Sequence, residues 1–208
     1  MTFAEFQGAT IAGGKVAFLA TFDVLGETEG GGIYLADLDS GAITLLAQVG
    51  GPSPTGAVFQ QLRIPSNHCG DVVFAGAAGP SEIAVTHGIF RSTGGTLSAV
   101  VLEGDSAPGF YGDGTFQSFG DPDCVFSPAN RVGFSAAVVF SGSSSLSGVF
   151  RYGGTGELVA LQDELSPDGV PYGVFSPESP GGTSIGPRLG YTDGAGLFLF
   201  PASVRARP

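Results

Sequence analysis

Apolar residues in this chain come in short bursts, and they do not recur at the spacing of a helix. KVAFLA, DVVFAG and RVGFSA are bursts of this kind, each bounded by glycine or a charged residue. Short apolar runs between turn-forming residues are typical of β-strands. A helix would need a longer apolar period with capping residues at its ends, and no window of the sequence has one. The pattern therefore predicts an all-β protein.

Aromatic residues recur along the chain with a fixed period. The first set, one in each burst, steps by 56, 60 and 57 residues: Phe18, Phe74, Phe134 and Tyr191. The second set steps by 56 and 60 residues: Tyr34, Phe90 and Phe150. The third set steps by 56, 57 and 59 residues: Phe3, Phe59, Phe116 and Phe175. Three landmarks with one period indicate tandem duplication, so we predict a single repeat domain over 1–208, with repeats at about 3–58, 59–115, 116–174 and 175–208.

Each repeat offers four short strands. GGIYLADLDSGAITLLAQ predicts a hairpin with glycine in its turn, and GIFRSTGGTLSAVVL and GVFRYGGTGELVAL have the same form. A further short segment, such as VFQQLRI or TFQSFGD, precedes the burst. Four-stranded antiparallel units repeated at this length are the blades of β-propellers. We therefore predict a β-propeller of four blades; the alternatives are part of a larger propeller, a ring completed by a second chain, and a β-sandwich or solenoid.

The chain is strongly acidic. Its 19 Asp and Glu against 8 Lys and Arg give a formal net charge of -11. This charge would repel phosphate backbones, so we expect no nucleic-acid partner. No apolar run approaches the roughly 20 residues that a membrane helix needs, and we expect no membrane span. The first residues, MTFAEFQGATIAGGK, lack the pattern of a signal peptide, which leaves a cytoplasmic and an exported protein open.

The second repeat resembles the tandem repeats of bacterial surface or secreted proteins that carry a motif of the form NxxGxxxxAF. The residues that carry the resemblance are Asn67, Gly70, Val73, Phe74, Ala75, Gly88, Ile89, Gly104, Asp105, Pro108 and Gly109. The third repeat departs from the motif, because DELSPDG stands where Gly-Asp is expected. The resemblance implies a propeller-like fold and a secreted or cell-surface setting, and it implies no activity, since fold does not dictate function.

Acidic and aromatic residues gather in LEGDSAPGFYGDGTFQSFGDPDC, residues 102–124, and in its counterpart LQDELSPDGVPYGVF. Carboxylates beside aromatic rings are typical of carbohydrate sites and of sites for hard cations. We therefore predict ligand contacts from Asp105, Phe110, Tyr111, Asp113, Asp121, Asp123, Asp163, Glu164, Asp168 and Tyr172. We expect no cofactor, although calcium would suit these acids. The alternative is that the aromatic residues belong to the core and the acids solvate turns.

Three further features of the sequence are its two cysteines, its two histidines and one acidic turn. Cys69 and Cys124 precede the apolar strands of neighbouring repeats, so a disulfide between adjacent blades is one reading and two thiols are the other. His68 and His87 lack a third ligand at zinc spacing, and we expect them to be exposed loop residues. DLDSG, residues 37–41, is half of a calcium loop by composition, and turn chemistry also explains it.

The sequence favours a non-catalytic binding or surface-recognition module, whose ligand is a glycan, another small molecule or a protein. Repeats that present varied loops on one scaffold suit recognition. The alternative is an enzyme that uses the loop carboxylates, with or without a metal, on a polar substrate such as a glycan. Unpaired blade edges would also allow a homo-oligomer.

Overall fold

The computed structural model of the chain describes residues 2–24, 27–68, 70–109, 114–125, 131–140, 145–153, 155–165, 171–172, 184–185, 188–192 and 197–201. Every regular element in that part is a β-strand, and every strand pair is antiparallel. The all-β prediction is confirmed. The chain divides into two compact units, residues 1–102 and 103–208.

The first unit contains two sheets. The first sheet has the order β1-β2-β3-β4 and consists of β1 (Thr2–Ala12), β2 (Lys15–Val24), β3 (Glu27–Asp37) and β4 (Ile43–Gln48). The second sheet consists of β5 (Val58–Leu62), β6 (Ser66–His68), β7 (Asp71–Ser81), β8 (Ala84–Thr93) and β9 (Thr96–Leu102). Its order is β5-β7-β8-β9, and β6 pairs with β7 beyond the end of β5. The sequence did not predict β6, because three residues carry too little pattern.

The second unit also contains two sheets. The third sheet consists of β10 (Thr115–Phe119), β11 (Asp123–Val125), β12 (Arg131–Val139), β13 (Ser145–Tyr152) and β14 (Gly156–Leu161). Its order is β10-β12-β13-β14, with β11 paired to β12. A smaller sheet contains β15 (Ser184–Ile185), β16 (Arg188–Thr192) and β17 (Leu197–Pro201).

The three aromatic landmarks of a repeat meet on one face of its sheet. In the second sheet the ring centroids of Phe59, Phe74 and Phe90 lie 5.0 to 5.9 Å from one another. Phe74 and Phe90 are opposite each other in the register of β7 and β8, so their rings stack at an interplanar angle of 26°. Phe59 meets Phe90 edge to face at 80°. Such offset and edge-on contacts are the favoured geometries of aromatic pairs.

The same aromatic triad is present in the first and third sheets. In the first sheet the centroid distances are 5.0 to 5.8 Å, and the residues are Phe3, Phe18 and Tyr34. In the third sheet the distances are 4.9 to 5.9 Å, and the residues are Phe116, Phe134 and Phe150. In the fourth sheet Tyr191 is opposite Phe198 in the register, as Phe74 is opposite Phe90 in the second. The recurring residues of the sequence are therefore the core of one repeated sheet.

Glycine precedes the second aromatic of each triad by two residues, because that ring lies over the glycine. A Cβ on Gly32 would be 3.0 Å from Tyr34 Cε2, and one on Gly148 would be 3.0 Å from Phe150 Cε2. A Cβ on Gly88 would meet Leu102 Cδ2 at 2.6 Å and the carbonyl oxygen of Val101 at 2.9 Å. Contacts this short mean that a side chain at any of these glycines would force its neighbours to shift. The GIY, GIF and GVF strings are thus packing motifs.

The two sheets of the first unit pack with different faces against each other. The first sheet contributes small and aliphatic residues, and the second contributes its aromatic triad. The buried cluster that results contains Ala17, Leu19, Ile33, Ala47, Phe59, Val72, Phe74, Ala78 and Phe90. We call these two surfaces the aliphatic face of the first sheet and the aromatic face of the second. The contact is directional, because an aromatic face meets an aliphatic one.

Asn67 ties the second sheet to the hairpin of the first. Its Nδ2 donates to the carbonyl oxygen of Lys15 at 2.8 Å, and its Oδ1 accepts the N–H of Gly70 at 3.0 Å. Gly70 has φ +96°, a region that glycine enters without strain. Asn67 is buried, so these bonds satisfy groups that would otherwise be costly. The Asn and Gly of the recurring motif therefore have a structural task.

Candidate functional site

The predicted acidic and aromatic site falls only partly within the described residues. Its described members are Asp105, Asp121, Asp163, Glu164 and Tyr172. Asp123 is described through its backbone, and its side chain lies outside the described part, as do Phe110, Tyr111, Asp113 and Asp168 altogether. Asp105 and Asp163 are exposed, whereas Tyr172 is only 6% exposed.

Asp163, Glu164 and Tyr172 come together through their backbones. The backbone N–H of Asp163 donates to the carbonyl oxygen of Tyr172 at 2.9 Å. The backbone N–H of Tyr172 donates to the carbonyl oxygen of Glu164 at 2.8 Å. Asp163 has φ +66° and is the one non-glycine residue of the described chain with positive φ. Asp tolerates this left-handed region better than most residues.

The same turn occurs in the two preceding repeats. There Gly50 with φ +79° and Gly104 with φ +87° take the place of Asp163. Their N–H groups donate to the oxygens of Phe59 and Phe116 at 2.7 and 2.9 Å. The buried Tyr172 therefore stands where the third aromatic landmark stands in the other repeats, and Phe175 lies outside the described residues. The turn accounts for the backbones of Asp163 and Glu164, and the core accounts for the ring of Tyr172. The ligand contacts of these residues stay a prediction.

Asp105 lies near Tyr152 in the third sheet. Burial raises the pKa of the Tyr152 phenol, and the Asp105 carboxylate raises it further, because a nearby negative charge disfavours the phenolate. The N–H of Phe116 donates to the Asp105 carbonyl oxygen at 3.0 Å, which fixes the backbone of the acid.

The turn at residues 37–41 uses its first acid internally. Asp37 Oδ1 accepts the N–H groups of Asp39 and Ser40 at 3.1 and 2.9 Å, and Lys15 Nζ donates to Asp37 Oδ2 at 2.6 Å. The Lys15 hydrogen bond, followed by those from Ser40, holds the pKa of the Asp37 carboxyl well below its usual range. Within the described ranges, no group of three or more His, Cys, Asp or Glu is placed to hold a metal ion.

The two histidines lie in strands, which corrects the expectation that both are exposed loop residues. His68 ends β6 opposite Asp71 and is half-buried, and His87 lies in β8 opposite Ala77 and is exposed. The sequence missed these positions because long strands continue past the apolar bursts. Cys69 lies outside the described residues. The backbone of Cys124 pairs with Val132 as that of Asn67 pairs with Val72, and the disulfide stays a prediction.

A cleft opens between the two sheets of the first unit, with a volume of about 390 Å³. The first sheet provides Leu19, Thr21 and Gly31, and Val49 follows the end of β4. By register, Thr21 is opposite Gly31, two residues beyond Leu19 on the aliphatic face. The cleft therefore continues the contact between the two sheets to the point where a glycine and a threonine replace the larger aliphatic residues.

Glutamine residues at strand irregularities line the same cleft. Gln7 lies where the register of β1 shifts between Phe6 and Gly8, and Gln60 lies at the shift between Phe59 and Gln61. A bulge leaves an extra residue unpaired and turns its side chain away from the regular ladder. Gln60 Nε2 donates to the carbonyl oxygen of Gly79 at 3.0 Å, which fixes that amide.

Arg63 and His87 border the cleft from the second sheet. The N–H of Arg63 donates to the Ala75 oxygen at 2.9 Å, and His87 is opposite Ala77. Ala75 and Ala77 alternate with Phe74, so these two residues border the cleft away from the aromatic face. None of the described residues that line the cleft is acidic. Amide and hydroxyl groups beside Leu19 and Leu62 suit a polar, uncharged ligand better than a cation.

Sequence reasoning placed the ligand site in the loops after β9 and β14 and missed this cleft. A glutamine follows the third aromatic landmark in two repeats, after Phe59 and Phe116, whereas Ala4 follows Phe3 in the first repeat. The sequence therefore has no repeated signal for Gln7, and it does not show the pairing of the two sheets that forms the cleft.

The fold and the cleft define an all-β protein of antiparallel sheets that carries a polar groove between two of its sheets. Residues 1–176 match a family of unknown function, DUF7453, and the chain belongs to that family. No curated protein matches the chain. In the described part of the chain, no helix has the length and apolarity that crossing a membrane requires.

Proposed function

We propose that the protein is a non-catalytic recognition module that binds a glycan or another small polar molecule in the cleft between its first two sheets. The observation that carries this proposal is the cleft itself, where Thr21, Gln7 and Gln60 stand beside aliphatic residues. Its volume of about 390 Å³ lies within the ~300–1,000 Å³ of small-molecule sites. Hydroxyl and amide groups can bond sugar hydroxyls, and Leu19 and Leu62 can cover a sugar's apolar face.

The scaffold that we propose is a β-propeller in which each sheet is a blade. Three observations support it: each repeat holds one sheet, the triads share one geometry, and the first two sheets pack aromatic face on aliphatic face. The resemblance to NxxGxxxxAF repeats points to the same scaffold and to an exported setting. In a propeller the cleft would open on the face that carries the loops between blades.

The alternative of an enzyme that uses loop carboxylates has less support. A carboxyl that transfers protons near neutral pH needs burial or a like charge to raise its pKa. Asp105 and Asp163 are exposed, and Asp163 occupies the turn position of Gly50 and Gly104. The exposed acids suit a second recognition surface or solvated turns.

The proposal is tested by the melting temperature in the presence of a panel of neutral mono- and oligosaccharides and small polyols. A ligand that binds only the folded state raises the melting temperature. Thr21→Val removes a hydroxyl from the cleft without changing its shape, and we expect it to reduce the shift. Thr96→Val makes the same change at an exposed site in β9, outside the cleft, and we expect it to leave the shift unchanged.

Two outcomes would contradict the proposal. One is a melting temperature that no member of the panel shifts. The other is a shift that Thr21→Val and Thr96→Val reduce equally, because the ligand would then bind elsewhere. A rise in the melting temperature that calcium produces and EDTA reverses would instead favour a cation site in the acidic loops and metal-assisted chemistry there.

A further inference from the structure

Three consecutive glycines, residues 30–32, lie in β3 of the first sheet. The fold requires two of them. Gly30 has φ +132°, which side chains rarely adopt, and a Cβ on Gly32 would be 3.0 Å from Tyr34 Cε2. Neither reason applies to Gly31, because its φ lies outside the left-handed region and a Cβ there would have room.

A side chain at position 31 would fit the space around it. The nearest atoms to a Cβ there would be the carbonyl oxygen of Ala20 and Leu19 Cδ1, both at 3.9 Å, which is ordinary van der Waals contact. Glycine inside a strand costs stability, since its backbone loses more conformational freedom on folding than that of any other residue. A glycine that the fold does not require is typical of a place where a ligand or another backbone comes close.

The equivalent place carries a side chain in the second and third sheets. It lies directly before the glycine under the second aromatic ring, and the three residues that share it are Gly31, His87 and Ser147. In the third sheet Ser147 Oγ donates to Gln162 Oε1 at 3.1 Å, so two side chains fill this place. In the first sheet the N–H of Val49 donates to the carbonyl oxygen of Gly31 at 2.9 Å, as the N–H of Gln162 does to Ser147 at 2.8 Å. Gly31 and Val49 leave the place open, and both line the cleft.

The groups around this glycine match a cyclic sugar. Leu19 lies beside it and is apolar, and Thr21 is opposite Gly31 in the register and brings a hydroxyl. On the second sheet Gln60 Nε2 donates to the carbonyl oxygen of Gly79, so its amide is fixed at the wall of the cleft. A pyranose ring has the corresponding form, because its C–H groups make an apolar face and its hydroxyls surround that face.

We propose that Gly31 is the floor of a subsite for one neutral pyranose ring, an inference that rests on the proposed function of the cleft. The apolar face of the ring lies on the backbone of Gly31 and beside Leu19, where its burial is favourable. Its hydroxyls bond Thr21 and Gln60, which can donate and accept. An acyclic polyol has the same hydroxyls but no rigid apolar face, so it suits this floor less well.

The test is the rise in melting temperature that methyl hexopyranosides produce, compared with the rise produced by acyclic hexitols at equal concentration. A ligand that binds only the folded state raises the melting temperature, and the pyranosides are expected to do so more than the hexitols. Gly31→Ala is expected to reduce the rise and Gly31→Val to abolish it, because each side chain takes the place of the ring. Without sugar, Gly31→Ala is expected to melt no lower than wild type, since alanine fits the backbone and restricts the unfolded chain.

Gly109→Ala is the matched control. A Cβ on Gly109 would also have room, with Leu158 Cδ2 at 3.6 Å as its nearest neighbour, and Gly109 lies outside the cleft. This variant is expected to show the full rise with pyranosides. A reduction as large as that of Gly31→Ala would place the ligand elsewhere and would overturn the subsite.

The remaining outcomes separate this inference from the proposed function. If pyranosides shift wild type and Gly31→Ala equally, the subsite is wrong, while a shift that Thr21→Val reduces still supports binding in the cleft. Hexitols that shift wild type as much as pyranosides would also overturn the pyranose subsite alone. A lower melting temperature of Gly31→Ala without sugar would show that the fold itself requires the glycine, and it would overturn the inference. If no sugar or polyol shifts wild type, both the proposed function and the subsite are contradicted.

Discussion

The first and second sheets each contain an aromatic triad of the same geometry, and they differ in what lies over that triad. Phe59, Phe74 and Phe90 are completely buried against the aliphatic face of the first sheet. The triad of Phe3, Phe18 and Tyr34 has nearly the same ring distances, yet Phe6 beside it is largely exposed. The triad therefore sets the internal geometry of a sheet, and the position of the sheet in the chain decides which neighbour covers it.

The largest effect is expected from the third aromatic of the triad. Phe59→Ala removes a fully buried ring and should lower the free energy of unfolding by about 3–5 kcal/mol, because a cavity is left under the first sheet. Phe3→Ala, at the same place in the first sheet, should cost clearly less, since Phe3 is only partly buried. Urea denaturation of both variants checks the ranking, and equal losses would show that burial does not separate the two triads.

The next largest difference in stability between the two sheets is expected from the glycine that lies under the second aromatic ring of each triad. Gly88→Ala would push a Cβ to within 2.9 Å of a backbone oxygen and is expected to cost about 1–3 kcal/mol. The nearest neighbours of a Cβ on Gly32 are side-chain atoms of Tyr34 and Leu45, which can move, so Gly32→Ala should cost less. Urea denaturation of both variants measures the two losses in the free energy of unfolding. A larger loss for Gly32→Ala than for Gly88→Ala would contradict this prediction.

Asn67 and Ile11 hold the same place before the central strand of their sheets, opposite Val72 and Val16. Asn67→Ala leaves the Lys15 oxygen and the Gly70 N–H without their partner, and a loss of about 1–3 kcal/mol is expected. Ile11→Ala is expected to stay within about 0.5 kcal/mol of wild type, because Ile11 is mostly exposed. If Ile11→Ala lowered the free energy of unfolding as much as Asn67→Ala, the hydrogen bonds of Asn67 between the two sheets would not be the reason for its effect.

Tyr34 occupies a place in the first sheet that phenylalanine fills in the second and third sheets. Its hydroxyl is buried and has no hydrogen-bond partner among the described residues, and burial raises the pKa of the phenol. Tyr34→Phe is therefore expected to raise the free energy of unfolding by about 1 kcal/mol, since an unsatisfied buried hydroxyl is removed. Phe90→Tyr should do the reverse. Thermal melts of both variants check the signs, and a destabilised Tyr34→Phe would mean that the hydroxyl has a partner after all.

The smallest effect is the pH dependence of the first sheet. The folded-state pKa of Asp37 lies below its unfolded value, chiefly because Lys15 donates to it. Its contribution is therefore present above the unfolded pKa of ~3.9 and is lost as the pH falls through the lower folded value. Asp37→Asn should flatten the curve of stability against pH in acid. An unaltered curve for Asp37→Asn would show that the contact between Lys15 and Asp37 does not contribute to the pH dependence of stability.

The repeat and its β-strands could be predicted because three aromatic residues recur with one period, and the structure gathers them into each triad. The short strand β6 could not be predicted, since Ser66, Asn67 and His68 have no apolar pattern. The cleft could not be predicted either, because it depends on which face of the first sheet meets the second. Tyr172 as the third landmark of the last repeat was missed for a related reason. Its place follows from the bonds to Asp163 and Glu164, which the sequence does not show.

The contact between the aliphatic face of one sheet and the aromatic face of the next is tested most directly by a double-mutant cycle of Leu19→Ala and Phe74→Ala. Both residues belong to the buried cluster of the first unit. A coupling free energy of at least about 0.5 kcal/mol is expected, because neighbours that share a cavity are not additive. A parallel cycle of Ile43→Ala with Phe74→Ala should be additive, since Ile43 lies on the opposite face of the first sheet. Additive losses from Leu19 and Phe74 would contradict the packing of the two sheets on which the cleft depends.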